Sequence, residues 1–315
     1  MAATVVSKAF DANFNPNSSR QILKQQESGE KPLTTQLREL WARADTQEIT
    51  RDAAMAEQER LLDGYRQIWI QALLLNGESD LTHSILTEIG RHRGTEDLIS
   101  VQRQCQEAVP FLKQAWHEKV QTVDASNVER FYDQTPSFID ELMWWHTLNE
   151  DDTPLAYVVA LKFAAAHGVR EFLDFGSGVG SGGLLFGKHG FPVALADISS
   201  VMLDFCGWRF AQRGLAVRLM DLKARKLPKK SFDFITAMDV FEHLTDPVDA
   251  VDLLADALKP RGYIFGRFAA EFDPDRPMHI VQDFQPVFAR FEERGFHEVW
   301  RDDWLWGHQV FQKTA

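Results

Sequence analysis

The stretch Glu171-Phe-Leu-Asp-Phe-Gly-Ser-Gly-Val-Gly-Ser-Gly-Gly183 decides the fold. A short strand ends in a glycine-rich turn that opens a helix. Glycines permit the tight turn and let a ligand approach the backbone, and the helix N-terminus favours an anionic group. Outward from this stretch the pattern alternates. Strands are expected at 170–175, 192–196, 217–220, 232–238 and 262–268, and helices at 180–189, 199–213, 246–258 and 284–294. Such alternation implies a mostly parallel sheet with helices on both faces. Two more strands, at 296–300 and 306–312, follow each other too closely for the ~12 residues that a parallel crossover needs, so an antiparallel hairpin closes a seven-stranded sheet.

Ahead of residue 150 the pattern is helical. Leu61, Leu62, Tyr65, Ile68, Trp69, Ala72 and Leu73 recur at the three-and-four spacing of an amphipathic helix face. Thr135-Pro136 and Thr153-Pro154 read as helix starts, with threonine as N-cap and proline at the first position. The expected organisation is a flexible polar lead-in at 1–32, a helical N-terminal domain at 33–150 and an α/β domain at 151–315. The helical domain reads as a lid, an acceptor pocket or a dimerisation face.

The glycines alone are ambiguous, because Gly178-Val-Gly180-Ser-Gly182-Gly183 satisfies the dinucleotide pattern G-x-G-x-x-G. Position relative to the strand separates the readings. Dinucleotide glycines begin at the strand end, here Gly176, and counted from there the third glycine of Gly176-Ser-Gly178-Val-Gly180 arrives one residue early. The segment Asp174-Phe-Gly176-Ser-Gly178-Val-Gly180 resembles the first motif of the class I S-adenosylmethionine-dependent methyltransferases, an acidic residue two places before G-x-G-x-G. The resemblance covers about residues 131–315 and implies a Rossmann-like fold with S-adenosyl-L-methionine as cofactor. It further implies that Asp174 accepts from the ammonium of the cofactor's methionine portion. Asp197, 19 residues after Gly178, would hold the ribose hydroxyls. Asp221 would read the adenine amino group, and Met238-Asp239 would lie beside the transferable methyl. Ser177, Ile198 and Leu222, next to these positions, join the expected cofactor set. So does Tyr132, since in the family an aromatic from the helical lead-in closes over the cofactor.

The sulfonium is already an activated methyl donor, so a protein of this kind mainly binds and orients. Asp239-Val-Phe-Glu242-His243-Leu-Thr-Asp246-Pro247 is similar to the E-x-x-E-H segment of the branch that includes ubiquinone-pathway and small-RNA methyltransferases. There, carboxylates and histidine hold a divalent metal. Asp239, Glu242 and His243 would be the ligands here, but Asp239 is a shorter arm than glutamate, and the reading in which Glu242 and His243 only structure the loop is preferred. His243, His279 and Asp239 are the candidate catalytic residues. His279 lies in the long connection 270–283, expected to overhang the active face, and is a candidate base or fourth ligand; His146 beside Trp144 and Trp145 is a similar case.

Composition bounds the function. With 315 residues, 44% hydrophobic and 25% charged, the chain has the profile of a globular protein with a sizeable core. The longest apolar run, Ile68–Leu75, is broken by Gln71 and far short of a membrane span. Cys105 and Cys206 lack ligand or disulfide-framework spacing, and no secretory signal is read, so a reducing cytoplasm is the expected location. The net charge is −12, with 15 basic against 23 acidic residues up to 150 and 19 against 23 after it, which argues against a nucleic-acid partner. The one basic cluster, Lys223, Arg225, Lys226, Lys229 and Lys230, reads as a solvated loop. The expected function is methyl transfer to a small-molecule acceptor, preferably at oxygen, with no membrane partner and with homodimerisation through the N-terminal helices open. The rivals are a nicotinamide-dependent oxidoreductase and a non-catalytic scaffold on the same fold.

Overall fold

The computed structural model describes residues 31–270 and 273–314, so all but the last two residues of the expected polar lead-in lie outside the described residues. The sheet comprises β1 (Phe172–Phe175), β2 (Val193–Asp197), β3 (Arg218–Asp221), β4 (Phe232–Ala237), β5 (Leu258–Arg267), β6 (Phe296–Arg301) and β7 (His308–Lys313). Their spatial order is β3-β2-β1-β4-β5-β7-β6. The first five strands are parallel, and β7 runs antiparallel between β5 and β6. The strand order reverses direction between β1 and β4, and in open α/β sheets the crevice at such a switch point, beyond the carboxyl ends of the strands, is where ligands bind.

Alternation along each strand builds two cores. In β1, Phe172 faces one buried cluster while Leu173 and Phe175 face the other. The second cluster is covered by α11 (Pro247–Ala257) and α12 (Gln285–Glu293), through Val251, Leu254, Val287 and Phe291. The first cluster is larger. It runs without a break from the N-terminal helices, through Leu37, Trp69, Ile85 and Phe131, to Leu185, Phe205 and Phe234 around the sheet.

Among the described residues, seven helices come first: α1 (Leu33–Asp45), α2 (Arg51–Leu73), α3 (Leu81–Arg93), α4 (Leu98–Gln106), α5 (Ala108–Lys119), α6 (Ala125–Asp133) and α7 (Phe138–Trp145). The expected apolar face of α2 buries Leu62, Tyr65, Trp69, Ala72 and Leu73. Then come α8 (Ala156–Ala166), α9 (Ser181–Lys188) and α10 (Ser200–Gln212).

Two helix starts differ from the reading of the sequence. The Thr135 carbonyl accepts from Phe138 N–H at 3.3 Å, so residues 135–137 form a tight turn and α7 begins after Ser137, without a side-chain cap. Thr153 opens a single 3₁₀ turn, Thr153–Leu155, whose flanking residue is Asp152. The basic loop is solvated as its charge run suggests, with all five basic residues exposed, but it is anchored at one end. Lys223 Nζ donates to Asp133 Oδ1 at 2.9 Å and to the Ile198 carbonyl, tying the loop after β3 to α6 and to the end of β2. Among the described residues no helix is long and apolar enough to cross a membrane.

Candidate functional site

A cavity of about 810 Å³ opens at the carboxyl ends of the strands, at the switch point. Its floor is the turn after β1, where Phe175, Gly176, Ser177, Gly178 and Val179 line it. Gly176 (φ +66°) and Gly178 (φ +50°) are left-handed, and a Cβ on Gly176 would lie 2.5 Å from Val240 Cγ2. The Gly176→Ala variant is therefore expected to lose about 2 kcal/mol or more of stability, read from its urea midpoint, and to lose ligand binding with it. Gly182 and Gly183 do not line the cavity. Their Cα atoms pack against Tyr157 and Leu195, so the second half of the dinucleotide-like pattern serves helix packing.

Of the aspartates at the ends of β1, β2 and β3, one lines the cavity and one lies just behind its floor. Asp197 closes β2 and lines the cavity. Its Oδ2 accepts from Gly178 N–H and its Oδ1 from Ser199 N–H, both at 2.9 Å. Burial pushes its carboxyl up to about 6, against the pull of the backbone N–H groups of Ser199, Gly178 and Ile198. Asp174 lies behind the glycine turn, with Oδ1 accepting from Thr236 Oγ1 at 2.7 Å and from the Tyr157 hydroxyl at 3.4 Å. Burial pushes it up to about 7. Asp174 Oδ2 and Ser177 Oγ are buried with no hydrogen-bond partner in the protein, which suits a donor-rich ligand reaching the turn. Gly180 and Asp174 themselves sit behind the cavity wall.

Asp221 is different. It ends β3 as expected, but its Oδ1 accepts from Lys223 N–H at 2.8 Å and it does not line the cavity. Leu222, Ile198 and Met202 form the wall there, and Leu222 N–H donates to the Asp197 carbonyl at 3.0 Å.

The turn after β4 carries Met238, Asp239, Val240, Glu242 and His243, all facing the cavity. Asp239 is held left-handed at φ +48°, uncommon outside glycine, with Arg267 Nη1 3.3 Å from its Oδ1. His243 Nδ1 lies 3.1 Å from the Met278 carbonyl and 3.0 Å from the Tyr132 hydroxyl. A carbonyl can only accept, so the proton is assigned to Nδ1, and Nε2 is the basic nitrogen. Burial, with His279 and Arg276 adding to it, holds His243 down at about 3, so the ring is neutral at physiological pH. His279 packs edge-on at 4.8 Å between ring centroids.

The ligand atoms of Glu242, His243 and His279 lie within 4.8 Å of one another, and this is the group that would hold a divalent cation. An ion bound at ~2.0–2.2 Å from each atom in tetrahedral geometry needs them ~3.3–3.6 Å apart, so the widest pair must close by about 1 Å or more. Asp239 stands outside the group, while His279, the candidate fourth ligand of the sequence, belongs to it.

Several residues at the site were not read from the sequence. Glu141 on α7 is buried and accepts from Arg276 Nη1 at 2.6 Å, joining the helical region to the 273–279 connection above the cavity. Tyr157 lines the cavity and stacks on Trp69 at 5.9 Å between centroids. The Asp302 carboxylate accepts from the N–H groups of Trp304, Leu305 and Trp306, each at 3.0 Å, fixing a turn that brings Leu305, Trp306 and Gly307 to the cavity rim. An aspartate two residues before a turn segment is the one local signal for this last feature. Tyr132 is where it was expected, lining the cavity and stacked on Phe138 at 4.8 Å. His146 also lines the cavity, its ring held down at about 3 by burial.

Residues 173–266 match the family described as "Methyltransferase domain". YodH, an uncharacterised methyltransferase of Bacillus subtilis (strain 168), is 31% identical over 160 residues, which are 49% of this chain and 65% of that protein. A ubiquinone biosynthesis O-methyltransferase of Ralstonia nicotianae is 28% identical over 130 residues, 39% of this chain and 54% of that protein. The chain thus spans less than two thirds of the length of either of these curated relatives. Among solved structures, an S-adenosylmethionine-dependent methyltransferase from Aquifex aeolicus gives a TM-score of 0.42 at 19% identity, covering 61% of this chain and 98% of that one.

Proposed function

Taking residues 173–266 as a class I S-adenosylmethionine-dependent methyltransferase domain, we propose that the chain transfers the methyl group of S-adenosylmethionine to a small-molecule acceptor. One observation carries this reading. The glycine turn and the ribose-side Asp197 line a single cavity, and the buried Asp174, with an unpartnered Oδ2, lies directly behind that turn. The experiment is calorimetric titration with S-adenosylhomocysteine and, separately, NADH. Binding of the first alone is the expected result, and binding of NADH alone overturns it.

Asp174 would pair with the ammonium of the cofactor's methionine portion and Asp197 with the ribose hydroxyls, while Leu222, Ile198 and Met202 flank the base. Among the three roles read for the helical region, wall of the acceptor pocket is favoured. Leu112, Val128, Tyr132, Phe138, Glu141 and Trp145 all face the cavity. Charge of both signs lines the cavity and is already paired, Arg276 with Glu141 of the helical region and Arg267 with Asp239. A concave, partly apolar pocket of this size suits a small acceptor.

Oxygen is the proposed acceptor atom. The basic Nε2 of a neutral His243 can accept from a hydroxyl and orient it toward the methyl carbon, and the named function of the Ralstonia relative agrees with that choice. A cation on Glu242, His243 and His279 would supply Lewis-acid polarisation of such a hydroxyl.

The raised carboxyls give the pH dependence its sign. Asp174 at about 7 and Asp197 at about 6 are partly protonated in the free protein near pH 6. In a raised carboxyl the protonated form is favoured by folding, so the stability this adds is full below the ordinary carboxylate range and lost as pH rises through the folded value. A cofactor that pairs with the ionised forms lowers both values again and expels protons on binding. Affinity for S-adenosylhomocysteine is expected to rise about 100-fold from pH 5.5 to 7.5 and to level off above. Calorimetry in two buffers of different ionisation heat reads the released protons, and a flat profile would refute the assignment.

A further inference from the structure

The first cluster of buried residues joins the N-terminal helices to the sheet, and within it lies a group of charges the mechanism does not use. Glu88 on α3, Arg209 on α10 and Arg213 just past its end have side chains with no solvent exposure at all. Arg209 Nη2 donates to Glu88 Oε2 at 3.1 Å. Its Nη1 points the other way, to the Val179 carbonyl at 2.7 Å and Ser181 Oγ at 3.0 Å. Arg213 donates to both Glu88 oxygens and, at 2.6 Å, to the Leu73 carbonyl at the end of α2, without touching the glycine turn. The carboxylate is thus gripped from two sides, and one of the two guanidinium groups is a rigid strut ending on the cofactor turn.

We propose that Arg209, held by Glu88, is a positioning residue for cofactor binding: it fixes the Val179–Ser181 peptides from behind, so that the helical region ahead of the sheet sets cofactor affinity. The physical reason lies in the turn itself. Gly176, Gly178 and Gly180 all have positive φ and no side chains to stiffen them, so the turn must be ordered by its surroundings. Asp197 holds its cavity side through Gly178 N–H, and Arg209 holds its far side. A planar guanidinium suits this task because its donors are fixed in a fork that reaches a carboxylate and a carbonyl at once. Lysine could not bridge the two.

The proposal rests on the cofactor reading above, and the test separates the two. Titration with S-adenosylhomocysteine at a temperature well below unfolding is run on the full chain, on Arg209→Met and on Arg213→Met. Both variants remove a fully buried guanidinium from the same carboxylate, so both lower Tm. Only Arg209→Met is expected to weaken binding tenfold or more, with faster amide hydrogen exchange at residues 178–182. Arg213→Met should stay within threefold of the unaltered chain. If Arg209→Met does not fold, Arg209→Lys, which keeps the charge beside Glu88, is read in the same way. Unchanged affinity in the Arg209 variant, or an equal loss in Arg213→Met, overturns the proposal. If the unaltered chain does not bind S-adenosylhomocysteine, the cofactor reading falls and the positioning role falls with it.

Discussion

Asp197→Ala is expected to weaken S-adenosylhomocysteine binding at least 100-fold, while Asp221→Ala stays within threefold of the unaltered chain, both measured by calorimetry at pH 7.5. The Asp197 carboxylate would accept two ribose hydroxyls, and charge-assisted bonds contribute about 1.5–3 kcal/mol each. The same oxygens also accept from Gly178 and Ser199 N–H groups, so removing them loosens the turn on which the rest of the cofactor would rest. Asp221 offers the contrast. It occupies the matching position on the next strand, yet its carboxylate turns to Lys223 N–H and away from the cavity. A resemblance carried over by position alone predicts comparable losses at both residues. Geometry predicts a large loss at one and almost none at the other. Equal losses would mean that the wall at Leu222 rearranges on binding.

The sheet was legible because its signals are local. Alternating strands and helices, a glycine turn at a strand end and a final pair too close for a crossover each constrain the chain within ten or twenty residues, and β1 to β7 fall within two residues of the expected bounds at nearly every end. The two threonine caps failed for a local reason too, since a proline after threonine is compatible with a helix and with a tight turn alike. The cofactor side of the site followed from the sheet, because strand ends converge by construction. The acceptor side did not. Glu141 meets Arg276 across 135 positions and Glu88 meets Arg213 across 125, and nothing in the local pattern of either partner announces the other. The histidines sit between these cases. His243 was placed by its segment, but its proton on Nδ1 depends on the Met278 carbonyl, contributed by a connection that folds back over the cavity.

Replacing Glu88 is expected to give the largest loss of stability of any single substitution discussed here. Burial alone would push this carboxyl up, but Arg209 and Arg213 more than offset it and hold it below its ordinary value, so it is ionised in the folded chain. Its alanine variant would leave two guanidinium groups facing each other in a site without solvent. Breaking a buried ion pair from one side costs about 3–5 kcal/mol, and for a chain of this size that is a fall of roughly 6–20 °C in Tm. Since a lowered carboxylate stabilises above its unfolded pKa and loses that effect as pH falls through the folded one, the gap between Glu88→Ala and the unaltered chain should be full at pH 7 and narrow only in strong acid. The form of the transition matters as much as its midpoint. Glu88 joins α3 to α10 inside a core that continues from Leu37 to Phe234, so the helical region and the sheet are expected to melt together, in one transition seen alike by far-ultraviolet circular dichroism and by tryptophan fluorescence. Two separated transitions would mean that the ion triad ties the cofactor turn to the helices without making them one folding unit. A triple replacement of Glu88, Arg209 and Arg213 by apolar residues of similar volume provides the decisive comparison. Well-packed apolar substitutes for a buried ion cluster are neutral or stabilising, so Tm should recover. The far side of the glycine turn would still have lost its strut, so stability would return without cofactor affinity.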